Sequence, residues 1–210
     1  MLAGIVTDLT DWLDRISSHW WFLAIIAVIA FLDSVIPVVP SETCVIIGGV
    51  AASQGNQSLL IVIAVGALGA FLGDNTAFHI GHRASERFSR RAERRPRFAT
   101  KLAWARDQIH SRGGLLLITA RFIPGGRTAL TLSCGITRQR RAWFMRWVVV
   151  ATVIWATYAA LLGRLGGEAF KDDHNKAFLF AFGLAIGTNI LIEIARHVRK
   201  KRKAAALAAG

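Results

Sequence analysis

Apolar residues run through the chain in long blocks, and what interrupts each block decides which element it predicts. Leu2, Ile5, Val6, Leu9, Leu13 and Ile16 recur at three- to four-residue spacing, with Asp8, Asp11 and Asp14 between them. That period predicts an amphipathic N-terminal helix within residues 1–18, lying on a membrane surface or against the flank of a bundle. Its acidic polar face gives it little attraction to anionic lipid. His19-Trp20-Trp21 reads as an interfacial belt, and an apolar run follows to about residue 36. The stretch from 57 to about 81 is the cleanest spanning segment, 143 to about 163 a second, and 176 to about 194 a third. Each is close to the ~20 apolar residues a bilayer requires. A short loop is expected at 166–175.

Two other apolar stretches are broken. Residues 115–135 read LLLITARFIPGGRTALTLSCG, with Arg121 and Arg127 on either side of Pro124-Gly125-Gly126. Proline removes a backbone donor and glycine weakens a helix. A bare guanidinium at mid-membrane costs about 2.5–3.5 kcal/mol on insertion scales. Backbone broken at that depth is tolerated only inside protein or beside a water-filled cavity. The stretch therefore predicts a re-entrant hairpin over about 113–136; the alternative is a tilted helix whose arginines snorkel to the headgroups. Residues 37–55, PVVPSETCVIIGGVAASQG, carry Pro37, Pro40, Glu42 and Gly48-Gly49, and predict another re-entrant hairpin.

Composition agrees with a membrane protein of one domain, at 53% hydrophobic over 210 residues. The formal net charge of +13 would suit nucleic acid, but the cations gather between and after the apolar blocks, as in cytoplasmic loops. The clearest group is the basic loop 83–112, part of it amphipathic and suited to anionic headgroups; the tail 198–210 is another. No nucleic-acid partner is expected. Cys44 and Cys134 lie in apolar stretches and read as packing residues, with no metal spacing or disulfide framework. No removable signal peptide is expected.

Charge placement also orders the segments. Residues 112 and 138 both belong to basic clusters, so 113–136 enters and leaves on one side. The first apolar run is then expected to cross outward, 37–55 to dip from the outer face, and 57–81 to return, with both termini cytoplasmic. The fold class predicted is an all-α polytopic membrane protein of two inverted repeats. Each repeat is a re-entrant helical hairpin plus a transmembrane helix, with additional N- and C-terminal helices around a membrane domain at 19–197. Gly66, Gly69 and Gly73 make a small-residue face that allows a homodimer without requiring one.

Few ionisable residues fall within the apolar zone: Asp33, Glu42, Asp74, Arg121 and Arg127, with His79 and His82 near its basic edge. Salt bridges pinning two hairpins together would account for the charges, though not for the Pro and Gly breaks. Backbone freed at a hairpin tip beside two guanidiniums makes an anion site, with Gly125 and Gly126 admitting close approach. Carboxylates in the same cavity would exchange protons. Together these residues point to a proton-coupled carrier of an anionic substrate, with no cofactor and no metal. The histidines read as interfacial, or as a proton relay.

The stretches FLDSVIPVVPSETCVIIGGVAASQG, GALGAFLGDNTAFHIGHR and RFIPGGRTALTLSCG resemble the DedA family of integral membrane proteins, also described as the VTT or SNARE-associated domain, over roughly residues 31–165. Arg121 and Arg127 match that family's arginine pair, Glu42 its Pro-Ser-Glu acid and Asp74 its Gly-Asp step. Asp33 stands where glutamate is commoner. The resemblance implies lipid translocation at a bacterial cytoplasmic membrane, with undecaprenyl phosphate returned to the inner leaflet. The alternatives are a phospholipid scramblase or flippase (for example of phosphatidylethanolamine), a proton-linked exporter of small ions or drugs, a membrane-bound phosphatase and a non-transporting scaffold. No nucleophile constellation supports an enzyme.

Overall fold

The computed structural model describes residues 16–17, 19–36, 41–123, 125–169 and 183. The N-terminal amphipathic helix up to residue 15, Pro37, Pro40 and Pro124, the third spanning segment at 176–194 and the basic tail lie outside the described residues. Every regular element among the described residues is helical: α1 (Trp21–Val35), α2 (Ser41–Ser53), α3 (Leu59–Arg94), α4 (Pro96–Arg112), α5 (Leu115–Thr119), a 3-10 turn (Ala120–Phe122), α6 (Gly126–Ile136) and α7 (Arg141–Ala169).

Lengths separate these helices into two kinds. α3 and α7 are long and apolar enough to cross a membrane. At 1.5 Å per residue, the 36 residues of α3 reach about 54 Å, well past a hydrocarbon core of ~30 Å. α1 has 15 residues and α2 has 13, which reach only about 22 Å and 20 Å. Residues 166–169, expected in a loop, complete α7.

The short helices stop where a proline is about to follow. Ile36, before Pro37, is extended at φ −122°, ψ 96°, and Ile123, before Pro124, is extended at φ −108°, ψ 121°. Proline's ring clashes with a helical residue preceding it, so both isoleucines leave the α region. Arg95 does the same before Pro96, which opens α4. The stretch expected as a basic loop at 83–112 is thus helical on both sides of one break.

The first hairpin differs from its expected form. α2 runs unbroken through Gly48-Gly49, because tertiary packing outweighs the helix cost of two glycines, about 1 kcal/mol each. A side chain at Gly49 would collide with the backbone carbonyl of Ala160. The bend lies instead between α1 and α2, which pack antiparallel. Ser41 meets Asp33 near the bend, and Gly48 lies against Ile26 farther along. Gln57 Nε2 donates to the carbonyls of Ser17 (2.9 Å) and His19 (3.1 Å). Residue 19 therefore sits at the end of the molecule where α3 begins. The expected outward crossing by the first run, followed by a dip at 37–55, is replaced by one hairpin that starts and finishes at that end.

Each long helix is flanked by two short ones. α1 lies along the first half of α3, where Gly69 abuts the Ala27 backbone and Gly73 that of Phe31. α6 lies along its second half, with Gly81 against Leu132 and Gly135 against Phe78. On α7, α5 lies along the first half (Gly114 against Trp147) and α2 along the second (Gly163 against Ile46). Two buried clusters result. The larger, including Ile26, Val45, Val50, Val62 and Ala156, joins α1, α2, α3 and α7. The smaller, of Phe78, Ile109, Leu117, Cys134, Phe144 and Val148, joins α3, α4, α5, α6 and α7.

Candidate functional site

The ends of α1 and α6 meet beside the middle of α3, and that junction gathers the charged residues. Asp74, on α3, is 1% exposed. Its Oδ2 accepts from Arg121 Nη1 at 2.5 Å. Its Oδ1 lies 3.7 Å from Arg127 Nε, an ion pair beyond hydrogen-bonding reach. Arg127 Nη2 is 3.0 Å from Asp33 Oδ2, at the end of α1, and that oxygen also accepts from the Ser41 hydroxyl. Alternating charges thus run from the first hairpin to the second through α3. Both carboxylates stand near the N-terminus of α6, where the helix dipole favours negative charge.

Local structure explains why the arginines point inward together. Gly125 adopts φ +65°, a left-handed conformation that a side chain would strain, and it reverses the chain into α6. Arg121 precedes that reversal and Arg127 follows it. The Gly126 amide donates to the Ile123 carbonyl at 2.8 Å. That bond spends the donor expected for an anion at Gly126, and it closes the turn instead. Pro37, Pro40 and Pro124 lie outside the described residues.

Arg121 is the most unusual group here. Its side chain is 2% exposed, yet among the described residues Nε and Nη2 have no hydrogen-bond partner. A guanidinium offers five donors in a planar fork, and leaving buried donors unmade is costly. Its Cζ lies 5.5 Å from the centroid of the Trp155 ring on α7, within cation–π range. The remaining face of the fork is suited to a planar or tetrahedral oxyanion.

Glu42 begins α2 next to Ser41 but is half-exposed and enters none of these ion pairs among the described residues. His79 and His82 are exposed; His82 stacks on Phe78 at 6.2 Å between ring centroids. Cys134 is buried and Cys44 half-buried, and both are free thiols. Among the described residues no cluster of three or more His, Cys, Asp or Glu is placed to hold a metal ion.

Sequence reasoning missed three members of the junction. Ser41 donates its hydroxyl to Asp33 and braces it. Thr128, one residue past Arg127, donates to the Ser34 carbonyl at 3.0 Å and ties the two hairpins directly. Trp155, within the span expected at 143–163, reaches the junction from α7. Its distance from either end of α7 was the available signal, since belt tryptophans sit at the interfaces.

The family model described as the VTT domain matches residues 39–165. Among curated relatives, the uncharacterized membrane protein YkoX of Bacillus subtilis is 26% identical over 207 residues, covering 96% of this chain and 90% of its own length. Undecaprenyl phosphate transporter A of Staphylococcus aureus is 28% identical over 152 residues, covering 70% and 75%. Protein DedA of Escherichia coli is 23% identical over 192 residues, covering 88% and 87%. No solved structure matches.

Proposed function

From membership of the VTT-domain (DedA) family of membrane proteins, to which this chain belongs, we propose that it moves a lipid phosphate, undecaprenyl phosphate first among candidates, across a bacterial cytoplasmic membrane. The carrying observation is Arg121, a buried guanidinium with two nitrogens unpartnered among the described residues, beside a second arginine. A phosphate monoester brings the charge and acceptor oxygens this pair lacks. The name of the Staphylococcus aureus relative supports the choice of lipid.

The architecture we infer is two re-entrant hairpins, α1–α2 and α5–α6, each followed by a spanning helix, α3 or α7. In each unit the first arm lies on its own long helix and the second on the other's, the relation an inverted repeat produces. The arginine-rich end, with Arg83, Arg87, Arg138 and Arg141, faces the cytoplasm by the positive-inside rule. Asp74 and Asp33 occupy the arginines in the resting site. Protonating Asp74 would release them to the phosphate, and Glu42, beside Ser41, would pass protons toward them. Gly125 allows the turn that presents both arginines.

Leaflet exchange of undecaprenyl phosphate in vesicles, with and without a pH gradient, tests this reading. We expect gradient-responsive exchange that Arg121→Ala and Arg127→Ala abolish. Exchange indifferent to the gradient would make the protein a scramblase. Exchange unaffected by either substitution would refute the site.

A further inference from the structure

The site that holds the charge leaves a lipid's chain unaccounted for, and the residue after Arg121 points to where it goes. Arg121 and Phe122 are neighbours in the 3-10 turn, yet the first is buried and the second 54% exposed. Trp155 and Tyr158 repeat the contrast on α7, one buried and the other 44% exposed. Inside, Arg121 sits over Trp155. Outside, Phe122 and Tyr158 meet edge to face, ring centroids 5.9 Å apart, and Ile123 beside them is 38% exposed.

The buried Arg121–Trp155 contact and the exposed Phe122–Tyr158 contact therefore lie side by side, three residues or about 4.5 Å of helix apart along α7. Tyr158 is unusual for its place. It is the chain's single tyrosine and lies in the middle of a spanning helix, whereas membrane tyrosines favour the two interfaces. Among the described residues its hydroxyl has no hydrogen-bond partner, a costly state in hydrocarbon.

We propose that Phe122, Ile123 and Tyr158 form the lateral exit through which the chain of a lipid phosphate stays in the bilayer while its phosphate is held by Arg121. This rests on the lipid-phosphate reading above and adds a subsite to it. The aromatic edges pack on the chain carbons nearest the phosphate, and the Tyr158 hydroxyl donates to a phosphate or ester oxygen passing at its depth. A small soluble anion would use the arginines without touching this patch.

The test is photocrosslinking of the full chain in nanodiscs, using a polyprenyl phosphate with a diazirine on the isoprene unit next to the phosphate. Adducts are expected on Phe122, Ile123 or Tyr158. Excess undecaprenyl phosphate should suppress them and undecaprenol, the neutral alcohol, should not. The Phe122→Ala/Tyr158→Ala double variant, altered only at exposed positions, should exchange the long-chain phosphate about tenfold more slowly. It should keep its competition by inorganic phosphate. Phosphate-suppressible adducts confined to other helices would overturn the exit while leaving the arginine site intact. Adducts that both lipids suppress equally would overturn the arginine site, and the exit with it.

Discussion

At both Ile36 and Ile123 an isoleucine before proline leaves the helical region, but the two bends are held by different forces. The arms of the first hairpin are packed in the larger apolar cluster, and α2 lies backbone to backbone on α7 through Gly49 and Gly163. The second is flanked by the smaller cluster, and its turn is fastened to α3 through Arg121, Arg127 and Asp74. Apolar packing and close approach are indifferent to protonation, whereas a buried ion pair is not. The packed arms of the first hairpin are thus suited to be the frame, and the second hairpin, together with the Asp33 end of α1 that pairs with Arg127, to be the part whose hold can be released.

Breaking that contrast should be easiest at Asp74. Asp74→Ala strands Arg121 in a buried site, and removing one partner of a buried pair typically costs about 3–5 kcal/mol; thermal denaturation in detergent should show the largest loss of the series. Gly163→Ala strikes the frame instead, placing a methyl against the Ile46 carbonyl. Overpacking of that kind costs about 1–3 kcal/mol, and melting should fall without change in the pH response of exchange. Thr128→Ala removes a hydroxyl bond that joins the hairpins directly, worth about 1 kcal/mol. Its melting shift should be small while exchange changes measurably, since the bond spans frame and moving part. Glu42→Gln should leave stability within about 0.5 kcal/mol, as for a residue outside the packed network. Loss of gradient response in exchange assays, with basal exchange kept, would assign it the proton role.

Much of this organisation was legible in the chain. The Ile123-Pro124 step marked the second bend because proline's restriction on its predecessor is local, whereas the first was expected farther along, within 37–55. The arginine pair and Asp74 stood out because charge inside apolar sequence demands a partner. Other features were not local. Gly48-Gly49 looked like a break, but α7 lies close enough to hold that helix intact. The side on which residue 19 lies was misjudged because Gln57, which fixes it, reaches across to carbonyls far earlier in the chain. The 83–112 segment read as a loop that is an amphipathic helix only in part, although arginine and glutamate are good helix formers and Glu86 pairs with Arg90 one turn on. Thr128 carries no sequence signal of its own; it matters through what folding places beside it.

The most direct test of the central claim is thermal stabilisation of the purified protein by undecaprenyl phosphate compared with undecaprenol. Stabilisation by the phosphate alone, lost in Arg121→Ala and Arg127→Ala, is the predicted result. Equal stabilisation by the alcohol, or stabilisation by the phosphate that survives both substitutions, would contradict a phosphate site at the arginine pair.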